Sequence, residues 1–217
     1  MNLEEIRREV RVWANEPDYD ERTLDGYVNE AVQTVCAEIN IPGLKGFDVV
    51  LTVAGTAYAV LSGLTGGFSG RLGRVWFKPS GGSDYSPVEI KPSLESLMDE
   101  YPDMDEAGDV LAVALEGSTL WYQPIPAIAG SLRVVYYQDP PVLTLDADVP
   151  SVFPVHLHRQ LCVDGACYII WDSIEQGEDG QKPNTDRHLT KFEAGKTKLR
   201  EWIASRRKHH ISSTWGE

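Results

Sequence analysis

Long apolar runs are missing from this 217-residue chain. None approaches the roughly 18 apolar residues that a membrane-spanning helix needs, so no transmembrane helix is expected. Cysteine is scarce: only Cys36, Cys162 and Cys167 are present. An odd count argues against a disulfide framework, and the five-residue step from Cys162 to Cys167 is not CxxC spacing. All three lie in apolar, helix-like contexts and read as buried thiols acting as small hydrophobes. Basic residues are outnumbered, 20 Lys+Arg against 33 Asp+Glu, for a formal charge of −13. That balance argues against a dedicated nucleic-acid binder, whose affinity rests on cationic contacts to phosphate. The start, Met1-Asn2-Leu3-Glu4-Glu5, is acidic and amphipathic, so no secretory signal is expected there. An apolar fraction of 42% and a charged fraction of 24% exclude wholesale disorder. The length suits one large domain or two small ones.

Catalytic motifs are missing too. There is no HExxH, no P-loop, no GxSxG and no GxGxxG after a strand. His156 and His158 form an HxH pair, but at a helix start residues two apart diverge. His209-His210 sits in a basic tail. The glycines at 63, 66, 67, 70 and 73 lack the Lys-Ser/Thr partner of a phosphate loop and read as a flexible connection. Asp99-Glu100, Asp103, Asp105-Glu106 and Asp109 could offer oxygen ligands to Ca²⁺ or Mg²⁺. They lack the EF-hand order, and a solvated acidic loop is the preferred reading. The expectation is therefore a non-enzyme with no cofactor, no metal and no catalytic residues.

What is present is a change of texture along the chain. Leu3, Ile6, Val10 and Trp13 recur at helical spacing, with Asn2 and Glu5 as a capping box. A second helix is expected from Thr23 to Glu38. From residue 46 the pattern turns β-rich. Phe47–Val53 and Thr56–Leu61 read as a hairpin around Ala54-Gly55. Short strands follow at Arg74–Phe77, Val88–Ile90, Val110–Leu115, Thr119–Gln123 and Ser131–Gln138, with a small helix at Leu94–Glu100 capped by Ser93. After Asp139-Pro140-Pro141, helices are expected at Ser151–Ile174 and Asp186–Arg207. The expected fold is α+β: a bundle of about four helices (1–45 and 142–208) with an inserted antiparallel β domain (46–141), a small sandwich or barrel-like sheet. Residues 209–217 read as a flexible C-terminal tail.

The charge is split along the same lines. Residues 180–217 hold nine Lys/Arg and four Asp/Glu, a net of +5; residues 1–179 hold the other 11 and 29, a net of −18. An acidic body with a basic end suits contact with an acidic partner, another copy of the chain included. The plainer reading is a solvated last helix with cations near its C-terminus, where the helix dipole favours them. Trp215 stands alone in the polar tail and reads either as an anchor in a partner groove or as a tolerated exposed Trp. The sheet aromatics, Trp76, Trp121 and Tyr122 among them, raise an alternative function: a ligand- or carbohydrate-binding β module on a helical support.

Three stretches carry a resemblance. They are Thr23-Leu24-Asp25-Gly26-Tyr27-Val28-Asn29-Glu30-Ala31, Leu120-Trp121-Tyr122-Gln123-Pro124-Ile125-Pro126, and Leu132-Arg133-Val134-Val135-Tyr136-Tyr137-Gln138-Asp139-Pro140-Pro141. In this order, with an acidic connector and a helix following, the chain resembles the head-to-tail adaptor (connector) proteins of tailed bacteriophages. The resemblance implies a structural virion protein of the neck, a ring of neighbouring copies, usually twelve, seated beneath the portal protein. It implies contact with tail and neck proteins, and a channel through which DNA passes without specific binding. It also implies a C-terminal segment that grips the portal, a role that falls here on Arg206, Arg207, Lys208, Ile211 and Trp215.

Overall fold

The computed structural model describes residues 1–15, 19–175 and 182–212, the last helix with its side chains as far as Arg206. Those residues are α+β, with five α-helices and seven strands in one mixed sheet among them. The chain divides into two compact units, Met1–Gly43 with Pro140–Glu217, and Leu44–Asp139.

In the helical unit, α1 (Leu3–Ala14) begins on the expected capping box. Asn2 Oδ1 accepts from the Glu5 amide at 2.9 Å, and Glu5 Oε2 accepts from the Asn2 amide at 3.0 Å. Leu3, Ile6, Val10 and Ala14 are buried. Helix α2 (Glu21–Glu38) starts earlier than Thr23, because Asp20 rather than Thr23 is the cap and accepts from the Thr23 amide at 2.7 Å. The connector after Pro140 is strapped down. Leu3 and Glu4 donate their amides to the carbonyls of Asp148 and Asp146, satisfying groups that α1 leaves open. The Asn29 side chain clasps the backbone of Leu143 at both its N–H and C=O.

The helix expected at Ser151–Ile174 does not run as one α-helix. A 3₁₀ turn (Val155–Leu157) leads into a π-helical turn (Arg159–Val163), and only then does α4 (Asp164–Glu175) begin. Leu157, Leu161, Cys162, Val163, Ala166 and Ile170 are all buried. A wider turn shifts the side chains that follow around the axis, so a segment apolar on two sides can bury both. Helix α4 packs against α1, α2 and α5 (Pro183–Ser212). Two glycines let backbones approach: a Cβ at Gly165 would lie 2.8 Å from the Phe192 ring and 2.9 Å from Ala31, and one at Gly195 would lie 2.8 Å from Gln160. Helix α5 continues beyond Arg207, where the sequence reading ends it.

In the β unit the strands are β1 (Lys45–Leu51), β2 (Tyr58–Val60), β3 (Leu72–Pro79), β4 (Ser86–Ile90), β5 (Ala112–Glu116), β6 (Thr119–Gln123) and β7 (Gly130–Tyr137). Their order in the sheet is β1-β7-β3-β4-β5-β6-β2. The sheet is nearly closed around one core, led by Phe77, Leu120, Tyr122, Leu132, Val134 and Tyr136. Two expectations are corrected. The sheet is not wholly antiparallel: β4 and β5 run parallel, because the small helix α3 (Leu94–Glu100) serves as the crossover that parallel strands require. The hairpin around Ala54-Gly55 does not form either. β1 pairs with β7, and β2 pairs with β6, so the two runs are the edge strands of the sheet. A two-residue hairpin needs positive φ at its first central residue, and of this pair only Gly55 has it.

Candidate functional site

The residues assigned to partner binding lie along the end of α5. Ile203 is buried, and Ala204, Ser205 and Arg206 after it are exposed. The Arg206 guanidinium sits 4.1 Å from the centre of the half-buried Trp202 ring. Arg207, Lys208 and Ile211 continue the helix. Trp215 lies outside the described residues. A hollow of ≈ 270 Å³ opens beside Ile203, lined by Glu38, Ile39, Asn40, Arg200 and Ala204.

Nearer its start, α5 holds the unit's charges in pairs. Lys196 is buried between Glu38 and Glu193, each at 2.8 Å. Burial pushes its ammonium down, but the two carboxylates outweigh that and leave it above its ordinary value. His188 Nδ1 meets Asp164 at 2.9 Å, both side chains buried. Glu175 accepts from the amides and side chains of Asn184 and Thr185, which ties the first turn of α5 to the end of α4. On α1, Arg7 is buried with its Nε 2.6 Å from Asp25 and a terminal nitrogen 2.5 Å from Asp146. Those partners hold its guanidinium firmly charged. Trp13, expected on the apolar stripe of α1, is half-buried and meets cations instead: Arg187 and Lys191 at 5.0 Å and Arg159 at 5.7 Å from its ring centre.

Among the described residues, the other singled-out side chains do not build a catalytic constellation. His158 is buried, with its ring nitrogens 3.2 Å from the Met1 and Phe153 carbonyls, while His156 is exposed. Burial holds His158 below its ordinary pKa. All three cysteines are free and buried, and burial pushes the Cys162 and Cys167 thiols up to about 12. Among the described residues no group of three or more His, Cys, Asp or Glu is placed to hold a metal ion. The carboxylates of Asp99, Asp103, Asp105 and Asp109 are exposed, on α3 and the loop that follows. The sheet aromatics do not form one exposed platform. Tyr122 is fully buried in the core, while Trp121 is on the opposite face, packed with Ala112, Ala114 and Leu97. Tyr122 therefore belongs to no exposed aromatic platform, and Trp76 stands apart on β3, half-buried.

The β unit instead has an open outer face, which the sequence reading missed. The outward side chains of β1 are Lys45, Phe47, Val49 and Leu51. Phe47, Val49 and Leu51 are 57%, 42% and 74% exposed. Beside them run half-buried Arg133 and Val135 of β7, with Tyr137 buried at the end of that row, then exposed Arg74 and half-buried Trp76 and Lys78 of β3. Cations and rings interleave: Arg133 lies 4.0 Å from the Tyr85 ring centre and 5.5 Å from that of Phe47, and Lys78 lies 5.2 Å from Tyr85.

A surface of this kind, in a chain without a catalytic constellation among its described residues, is what a protein needs that works by contact. The family model of the SU10 adaptor protein matches residues 1–213. The chain belongs to the SU10 adaptor protein family. The resemblance to phage head-to-tail adaptors read from the three sequence stretches is thereby borne out. The adaptor is a structural protein and a virion component of a phage. No curated protein matches it. No helix among its described residues is long and apolar enough to cross a membrane.

Proposed function

We propose that this adaptor forms a ring at the head–tail junction, joins the portal to the tail and lines the channel through which DNA passes. The family match over residues 1–213 carries this reading. The helical unit acts as a four-helix bundle that packs side by side with its copies, twelve in the family's usual ring. The end of α5 reaches the portal: Arg206, Arg207, Lys208, Ile211 and Trp215 supply cationic and apolar anchors on a segment that orders fully on its partner. Its support is the exposure of Ala204, Ser205 and Arg206 after the buried Ile203. The net charge of −13 suits a conduit, since an acidic wall repels phosphate and lets DNA slide. Contacts with tail and neck proteins fall to the remaining surface.

Mass measurement of the protein alone and mixed with the portal of the same phage tests this. The full chain is expected to form a complex of defined multiple mass, and deletion of residues 206–217 to abolish it. Unchanged affinity after the deletion removes the C-terminal segment from the mechanism, and absence of any complex with the full chain removes the portal.

A further inference from the structure

Within the β unit, charge and cover are divided. Helix α3 lies over the outer side of β5 and β6, through Leu97 against Ala112 and Ala114. Among the described residues of this unit, no helix packs on β1, β7 and β3 as α3 packs on β5 and β6. The unit's six basic residues are Lys45, Arg71, Arg74, Lys78, Lys91 and Arg133. Lys45, Arg74, Lys78 and Arg133 project from the uncovered face, and Arg71 stands at its edge, 5.1 Å from the Tyr137 ring centre. Lys91 instead pairs with Glu89 and Glu100 beside α3. The acids collect on the covered side: Glu95, Asp99 and Glu100 on α3, and Asp103, Asp105, Glu106 and Asp109 in the loop beyond, all exposed.

Each side also exposes apolar groups. Leu51 is 74% exposed on the cationic side, while Met98 and Leu111 are 46% and 58% exposed on the acidic side. Two hollows of ≈ 340 and ≈ 350 Å³ open on the cationic side, one between Leu51, Lys78 and Ser131, the other between Arg74, Trp76 and Pro87. They are of a size to take single anchoring side chains.

We infer that the cationic, aromatic face of β1, β7 and β3 is the seat for the acidic face of a second copy, α3 and the 99–109 loop, so that β units associate head to tail. The two surfaces differ in charge and match each other, which is the condition for a heterologous contact. This rests on the proposed ring in one respect, that copies of the chain meet; it adds which surfaces meet.

A charge-swap experiment on the full chain tests it, read by sedimentation velocity at rising concentration and low salt. K45E/R74E reverses two exposed cations of one face, and D103K/D105K reverses two exposed carboxylates of the other. Each variant alone is expected to weaken self-association by about tenfold or more, and an equimolar mixture of the two to restore it. Circular dichroism confirms that both fold, and L51S weakens association without altering any charge. Association untouched by either reversal, or not restored in the mixture, overturns the proposal and leaves the ring reading standing. A wild-type chain that stays monomeric at millimolar concentration overturns it as well. Binding of a single-stranded oligonucleotide that K45E/R74E abolishes and D103K/D105K preserves, with no self-association, overturns it in favour of nucleic acid on that face.

Discussion

The two units treat charge and apolar surface in opposite ways. The helical unit buries charges and pairs them: Arg7 with Asp25 and Asp146, Lys196 with Glu38 and Glu193, His188 with Asp164. The β unit keeps its cations outside and leaves Phe47, Val49 and Leu51 exposed beside them. Buried pairs fix how helices and connector fit one another, since removing one partner strands the other. Exposed apolar strand residues interleaved with cations do nothing for the isolated fold. The lesson is one of allocation, with internal specificity in the helical unit and recognition in the sheet.

The strongest way to break this comparison is at Arg7. Arg7→Ala strands the Asp25 carboxylate and releases the connector at Asp146, and is expected to cost about 3 kcal/mol in urea unfolding. Arg74→Ala on the sheet face is expected to change stability by about 0.5 kcal/mol or less. Equal costs would erase the distinction between the units.

Next in size is a pair of glycines within the helical unit. Gly165→Ala drives a methyl into Phe192 and Ala31 and is expected to cost about 1–3 kcal/mol. Gly26→Ala, with nothing within 4 Å of the added methyl, is expected to gain about 1 kcal/mol through helix propensity. Opposite signs in thermal melts would confirm that close packing, rather than helix content, decides stability there.

The smallest effect is one of pH. Burial pushes the Glu175 carboxyl up, but the donors on Thr185 and Asn184 outweigh it and hold the pKa below the ordinary glutamate value. A lowered carboxylate contributes stability that is complete above its unfolded value and is lost as pH falls through the folded one. Melting temperature is therefore expected to fall on acidification below pH about 4.3, and Glu175→Gln to flatten that limb. An identical acid limb in the variant would remove Glu175 as the tie between α4 and α5.

Much of the helical structure was legible because its signals are local. The Asn2–Glu5 box, the Ser93 cap on α3 and the stripe Leu3, Ile6, Val10 each lie within a turn or two of sequence. The π turn at Arg159–Val163 was not legible, because it answers to packing by three other helices. Trp13 was misread for the same reason: its neighbours Arg159, Arg187 and Lys191 are distant in sequence. In the sheet, strand positions were read well and pairing poorly. Period-two alternation places Phe47, Val49 and Leu51 on one side, and that side is the more apolar one. The core nonetheless takes the side with Gly46, Asp48 and Val50, since the partner strand β7 brings Leu132, Val134 and Tyr136 there. Nothing within β1 alone records that choice. The apolar side facing outward was the missed signal for the interface. For α5, the basic end was visible in the charge split, and the helix simply carries it further than the periodicity suggested.

The division of labour is tested most directly by one comparison of two lesions in one binding assay. Deletion of residues 206–217 and the K45E/R74E variant are each measured for portal binding and for self-association of the full chain. The account predicts that the deletion abolishes portal binding and spares self-association, and that the charge reversal does the opposite. Both lesions removing the same interaction would contradict it.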